Sequence, residues 1–280
     1  TATAGLALVV FGLSRAADHG WGDSSTLGSL VGGTAALLLF IVLEHRGSAP
    51  LMPLWVFADR NRAGAYAVQA LLGAALFGMF FLITLYLQHV LHYSAFKAGA
   101  AFVPATVIMM AAAGVMTKVV PRTGVRPLVA GGTAAAAVGM WLLSNVSPDS
   151  NYLTAVMLPM VLLTTGLGSV FVPATLAAVS GVREEHSGLV SGVSTTAIQI
   201  GGSIGLAVLA TVAATTTRNE IASGTSEVDA LTAGYTQAFQ IAAAILALAV
   251  PIALATLRLR PSAQDTTGDH PDHVLEPGTD

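Results

Sequence analysis

Cysteine does not occur in this 280-residue sequence, which excludes disulfides and thiolate metal sites. Charge is scarce as well: Asp, Glu, Lys and Arg make up 10% of the chain, against roughly 25% in a soluble globular domain. With 54% hydrophobic residues, the chain lacks the polar surface to cover itself in water. The net charge of −3, with the few Lys and Arg spread over short loops, offers no basic face to a nucleic acid. Carboxylates are missing from the middle of every apolar run. All fifteen Asp and Glu fall in expected loops, helix ends or the tail, with Glu220, Glu227 and Asp229 placed in a long loop before the last helix. An ionisable group at mid-membrane is the usual mark of a proton path. None stands here.

What is present is a series of apolar runs long enough to cross a bilayer, near 27–43, 64–87, 98–117, 125–145, 152–177, 188–213 and 235–257. These imply an all-α, polytopic helical membrane protein. The opening run, 2–13, would extend roughly 18 Å as a helix against a hydrocarbon core of about 30 Å. The expectation is a chain that begins partway through a spanning helix of a longer protein. The last stretch, "PSAQDTTGDHPDHVLEPGTD", is acidic and rich in Pro and Asp, and reads as a disordered tail over 261–280.

Lys and Arg set the expected orientation. One side collects Arg46, Arg60, Arg62, Lys118, Arg122, Arg126, Arg183, Arg258 and Arg260, and the other has Arg15, Lys97 and Arg218. This bias places the C-terminus in the cytoplasm and the protein in the cell membrane. The segment "EHRGSAPLMPLWVFADRNR" mixes charge and Pro with an apolar centre at 51–57. It suits either a helix lying on the cytoplasmic membrane surface or a plain connector.

Nothing in the chain composes a catalytic set. No nucleophile–base pair, phosphate-binding glycine loop or zinc spacing occurs, so no enzyme and no cofactor are expected. His89 and His92, three apart, share a helical face but lack a third ligand, and no metal site is assigned.

The candidate residues are uncharged groups inside spans. Gln69 stands early in the 64–87 run, followed by Phe77, Met79, Phe80, Phe81 and Tyr86. Such residues offer adaptable surface to an apolar ligand, or else pack the core or face lipid. Pro104, Pro159, Pro173 and Pro251 fall inside spans, where each removes a backbone hydrogen bond, as helices around a cavity tolerate. In "SGLVSGVSTTAIQIGGSIGLAVLATV", Ser191, Thr195, Gln199 and Ser203 recur every four residues and trace a slanted polar stripe. Their hydroxyls can bond back to their own helix. The amide of Gln199 is less easily satisfied, so Gln199, with Thr195, is expected to face a cavity. Gly188 and Gly192, and Gly201 and Gly205, form two GxxxG pairs expected to admit a neighbouring backbone. The loop "KVVPRTGVR" carries Lys118, Arg122, Gly124 and Arg126. Its charges either pair with helix ends and a neighbouring domain or serve only to orient the chain.

Several stretches together resemble the C-terminal part of the 14-helix drug:proton antiporters of the major facilitator superfamily, the EmrB/QacA type. "GLSRAADHGWG" is similar to that family's external loop after the seventh helix, and "PLMPLWVFADRNRAGA" to its cytoplasmic entry to the ninth. "FFLITLYLQHVLHYSAFKAGAAFVPA" resembles the ninth-to-tenth hairpin, and "GLVSGVSTTAIQIGGSIGLAVLATV" the thirteenth helix. "GVMTKVVPRTGVRPL" resembles the superfamily's cytoplasmic loop motif, with Pro121 where an acidic residue is usual. Thr196 and Ile198 stand where the family often has Asn and Arg.

The resemblance implies a truncated helix, one full helix and a cytoplasmic connector over 1–62, then a C-terminal six-helix bundle over 63–260. It implies a transporter working by alternating access, exporting amphipathic drugs in exchange for protons. The proton-coupling residues would lie in an N-terminal half outside this chain, which alone would not transport. The implied partners are the lipid bilayer, a small-molecule substrate and protons. A dedicated exporter of one metabolite or antibiotic, or a non-transporting scaffold, remains the alternative.

Overall fold

A computed structural model describes residues 2–20, 22–46 and 55–257. Its helices, among the described residues, are α1 (Ala2–His19), α2 (Ser24–Arg46), α3 (Trp55–Ala58), α4 (Arg60–Leu85), α5 (Ala95–Ala101), α6 (Val103–Thr123), α7 (Val125–Leu143), α8 (Leu158–Val179), α9 (Ser187–Ala222) and α10 (Glu227–Thr256). Among the described residues seven helical segments are long and apolar enough to cross a membrane, and Ala2–Ala16 forms a shorter apolar helix. The protein is an all-α polytopic membrane protein, as composition requires.

Local chemistry sets the helix ends. Asp59 caps α4 by accepting from the backbone N–H groups of Asn61 and Arg62, both at 3.0 Å. Gly124 alone separates α6 from α7, at φ 81° and ψ 167°, a conformation essentially limited to glycine. Two π-helical turns, Tyr86–Val90 and Tyr152–Met157, adjoin α4 and α8. Pro159 follows the second, and its missing N–H leaves the backbone free to widen there.

Packing is organised around α4, which contacts α8, α9 and α10. α7 closes against α8 and α10, α6 leans on α8, and α1 joins α2 to the bundle through α9. The α4–α9 seam is close because glycines line both sides. A Cβ at Gly201 would strike the Ala70 carbonyl, one at Gly205 would strike Ala74, and one at Gly73 would strike the Ile198 carbonyl. At the α1 end, Thr211 donates to the Leu13 carbonyl at 3.3 Å, and Arg15 pairs with Asp23 at 3.2 Å.

One expectation changes. α9 continues to Ala222 and α10 starts at Glu227, so the turn between them is only 223–226. Glu220 therefore belongs to α9, while Glu227 and Asp229 occupy the first turn of α10 behind the Ser226 cap. The polar run after 213 did not end the helix, because a helix leaving hydrocarbon keeps its own backbone bonds in water. In the surface segment, α3 buries Val56 and half-exposes Trp55 and Phe57, while 51–54, Arg258, Arg260 and the tail 261–280 lie outside the described residues.

Candidate substrate crevice and its flanks

Gln69 sits on the inward face of α4 and is 2% exposed. Its Oε1 accepts the Ser194 hydroxyl of α9 at 2.5 Å, and its Nε2 lies 3.4 Å from Thr175 Oγ1 of α8. One amide thus ties three helices. An amide has two N–H donors, and the second finds no acceptor among the described residues.

Around Gln69 runs a narrow apolar crevice. α4 contributes Leu72, Gly73 and Leu76, α6 contributes Met109, α8 contributes Leu167 and Phe171, and α9 contributes Ile198. The enclosed volume is about 20 Å³, room for one water molecule. No charged side chain lines it. α7 and α10 contribute nothing and close the bundle elsewhere.

The other candidates disperse around this crevice. Phe77 packs on Gly202, where an added Cβ would meet its ring. Phe80 and Phe81 are 38% and 39% exposed, and Phe80 lies against Phe102 with ring centroids 5.1 Å apart. Tyr86 is not a lining residue: it is 1% exposed, and its hydroxyl donates to the Ser147 carbonyl at 2.7 Å. It is a fastener between helix ends, because a buried phenol must spend its O–H on a local acceptor.

Thr195 and Gln199 are exposed on the outer face of α9 and do not enter the crevice. The Thr195 hydroxyl bonds back to the Ser191 carbonyl at 3.1 Å, and Ser203 to the Gln199 carbonyl at 2.9 Å. The side chain of Gln199 has no partner among the described residues. Gly188 and Gly192 admit no neighbour within this bundle, for among the described residues nothing lies within 4 Å of a Cβ at either. The cause is helical phase. Nine residues separate Gly192 from Gly201, about two and a half turns, so the two GxxxG pairs fall on opposite faces. Ser194 was overlooked for the same reason: it shares its face with Ile198, Gly201 and Gly205, and that spacing was the available signal. Lys118, Arg122 and Arg126 are exposed, without an ion pair among the described residues. No three His, Cys, Asp or Glu side chains converge among the described residues.

An apolar helical bundle with one fixed amide in a central crevice is the construction of a membrane carrier, and comparison with known proteins agrees. The Major Facilitator Superfamily family model matches residues 2–206, and the chain belongs to that superfamily of transporters. It is 40% identical over 269 residues to the cephamycin export protein CmcT of Amycolatopsis lactamdurans, covering 93% of this chain and 53% of that protein. It is 36% identical over 271 residues to the puromycin resistance protein pur8 of Streptomyces alboniger, covering 94% and 54%. The tetracenomycin C resistance and export protein of Streptomyces glaucescens is 36% identical over 202 residues, covering 72% and 37%. The chain spans about half the length of the first two relatives.

Proposed function

We propose that this chain is the C-terminal half of a 14-helix secondary transporter of the EmrB/QacA type, exporting amphipathic small molecules by proton antiport. The observation that carries the reading is Gln69. A carboxamide held in hydrocarbon by Ser194 and Thr175, with apolar walls around it and one N–H to spare, suits a mostly apolar ligand bearing a hydrogen-bond acceptor. A crevice of about 20 Å³ is too small for such a ligand. The binding space therefore has to be completed by another half, laid over the uncovered faces of α6 and α9.

The polar stripe of α9 supports that placement. Ser191, Thr195 and Gln199 are exposed beside Ile198, which lines the crevice. Facing lipid, Gln199 would be an unsatisfied amide; facing an upstream bundle, it would border a water-filled path. Alternating access follows as rocking of one bundle on the other, with Gln69 near the pivot. No carboxylate lines the crevice, so the proton-coupling group belongs to the upstream half. The exposed Lys118, Arg122 and Arg126 are suited to contact that half on the cytoplasmic side.

A second reading has its own support. Three similar proteins carry names that attach each to a single antibiotic, so this exporter too could serve one compound. Expression of the full-length gene in an efflux-deficient host, challenged with a panel of dyes and antibiotics, separates the two. Protection against many unrelated amphiphiles favours the broad exporter, and protection against one favours the dedicated one. Transport into everted vesicles that persists after collapse of the pH gradient rejects proton antiport, and no protection or transport at all rejects the exporter.

A further inference from the structure

Where α4 begins, an arginine and a tyrosine hold buried donors that bond to nothing. Arg62 is half-buried and Tyr66 is 5% exposed. The Arg62 Nε and the Tyr66 hydroxyl are both closed to solvent, and neither has a hydrogen-bond partner among the described residues. Four residues apart, the two side chains share a helical face, close enough for the Arg62 charge to act on the phenol. Rings of α3 lie against both. The guanidinium sits over Trp55 at 5.1 Å, and Phe57 meets Tyr66 edge-on with centroids 5.6 Å apart. An aromatic face attracts a cation without supplying the oxygen acceptors that its N–H groups need.

The acidic groups nearby are engaged elsewhere. Asp59 accepts from the backbone N–H groups of Asn61 and Arg62 at 3.0 Å. Glu185 holds Arg183 at 3.2 Å and His186 at 3.6 Å, and the His186 ring lies 5.1 Å from Trp55. No carboxylate pairs with Arg62 among the described residues. Buried donors of this kind are costly unless an acceptor meets them, and beside a fixed positive charge the fitting acceptor is an anion. Depth narrows the choice. The span Arg60–Val90 has 31 residues, about 46 Å of helix against a hydrocarbon core of about 30 Å. Centred on the bilayer, it puts Arg62 in the headgroup layer and Tyr66 one turn deeper, at the hydrocarbon edge. Lipid phosphates lie at that level.

We propose that Arg62 and Tyr66 bind the phosphate of an anionic membrane lipid at the surface where α4 enters the bilayer. Arg62 donates through Nε and a terminal N–H to two phosphate oxygens, in the fork that guanidinium and phosphate share. The Tyr66 hydroxyl donates to one of these oxygens from the hydrocarbon side. α3 is a single turn of four residues, so tilting it moves Trp55 and Phe57 aside and admits the headgroup. Trp55, half-exposed, then stands at the interface, the level that Trp favours. The acyl chains remain in the bilayer. The inference needs a chain that spans a membrane and no particular substrate or coupling ion.

The test uses the full-length protein, purified in neutral detergent and titrated with three probes. These are dioctanoyl phosphatidylglycerol, dioctanoylglycerol with the same chains and no phosphate, and inorganic phosphate. Native mass spectrometry counts what is bound, and the thermal midpoint reports stabilisation by it. The expected result is that phosphatidylglycerol binds and raises the midpoint, while the other two do not. Arg62→Gln should weaken that binding about tenfold or more, and Tyr66→Phe about threefold to tenfold. Lys118→Gln, which removes an exposed charge at the same membrane surface, should leave it unchanged. Because the Tyr66 hydroxyl has no protein partner, Tyr66→Phe should not lower the midpoint of the lipid-free protein, so its effect on affinity is separate from folding. Five results overturn the proposal. They are no binding to the wild type, as when a carboxylate from elsewhere in the full-length protein fills the site; equal binding of dioctanoylglycerol; equal binding of inorganic phosphate, which would assign a soluble phosphate ester instead; an affinity indifferent to either substitution; or an equal loss in Lys118→Gln, the mark of diffuse surface charge.

Discussion

Gln69 on α4 and Ser194 on α9 are 125 residues apart in the chain and 2.5 Å apart in space, the hydroxyl of one donating to the amide oxygen of the other. Both are nearly fully buried, at 2% and 4% exposure. The bond fixes the α4–α9 seam at the level of the crevice and aims the rest of the amide. Structure and proposed recognition therefore meet in one side chain, and two substitutions separate them.

Ser194→Ala removes the donor and strands the Gln69 oxygen in an apolar setting, which should cost about 1–3 kcal/mol of stability. Gln69→Leu removes the needy group itself, and Ser194 is free to bond back to its own helix, so the stability change should stay within about 1 kcal/mol. Export should respond in the opposite order, falling about tenfold with Gln69→Leu for loss of one substrate hydrogen bond. Thermal midpoints of the purified full-length variants and drug export in vesicles check both. Wild-type export by Gln69→Leu would remove Gln69 from the substrate path.

The two glycine pairs of α9 should behave differently. Gly201→Leu drives a side chain into the Ala70 backbone, and overpacking of that kind costs about 1–3 kcal/mol or more, so the variant should be poorly retained in the membrane. Gly192→Leu meets nothing within 4 Å in this bundle and should accumulate normally. If the stripe beside it receives the upstream half, Gly192→Leu should nonetheless lose export. Fluorescence-detected size exclusion reports the amount of folded protein, and vesicle transport reports activity. Equal accumulation of the two variants would contradict the seam geometry.

These residues also show how far the sequence could be read. Every span announced itself, because a helix in hydrocarbon has to be apolar along its length, and the seven expected runs match seven spanning helices. Which face of each helix points inward was far less legible. In a soluble helix the polar side marks the solvent, but in a bilayer lipid and protein interior are equally apolar and the pattern fades. So Gln199 and Gly192 stood out in the sequence yet lie on exposed faces of α9 in this bundle, while Ser194, one residue from Thr195 and on the buried seam, went unnoticed. Gln69 stood out as an amide in a span, but its partners sit 106 and 125 residues away, and only the fold reveals them. Tyr86 carried no sign of its acceptor, a backbone carbonyl at Ser147.

Gly124 turns the chain between α6 and α7 at φ 81° and ψ 167°, where a Cβ clashes with the backbone. Gly124→Ala should cost about 1–3 kcal/mol. Arg122→Ala and Arg126→Ala, whose side chains are exposed, should leave the melting temperature nearly unchanged. Comparing melting temperatures of the three variants distinguishes a backbone requirement at this turn from a requirement for its charge. A destabilisation by either arginine substitution as large as that of Gly124→Ala would show that the charges hold the turn.

Two tyrosines fasten neighbouring helix ends in the same way. Tyr86 donates to the Ser147 carbonyl and Tyr152 to the Ala101 carbonyl, each at 2.7 Å. Tyr93 joins them, its ring 6.1 Å from that of Tyr152 and covered by the Lys97 ammonium at 3.6 Å. Each tyrosine opens a π-helical turn, and its hydroxyl reaches a backbone carbonyl outside that turn, at Ser147 or at Ala101. Tyr86→Phe and Tyr152→Phe keep the ring and delete only the bond, so each should cost about 0.5–1.5 kcal/mol. The pairs share no acceptor, so the double variant should lose nearly the sum. Substrate affinity should not move, because neither ring lines the crevice. Binding titrations beside thermal melts settle the point: a weakened affinity in Tyr86→Phe at unchanged stability would return Tyr86 to the substrate path and leave its bond to Ser147 incidental.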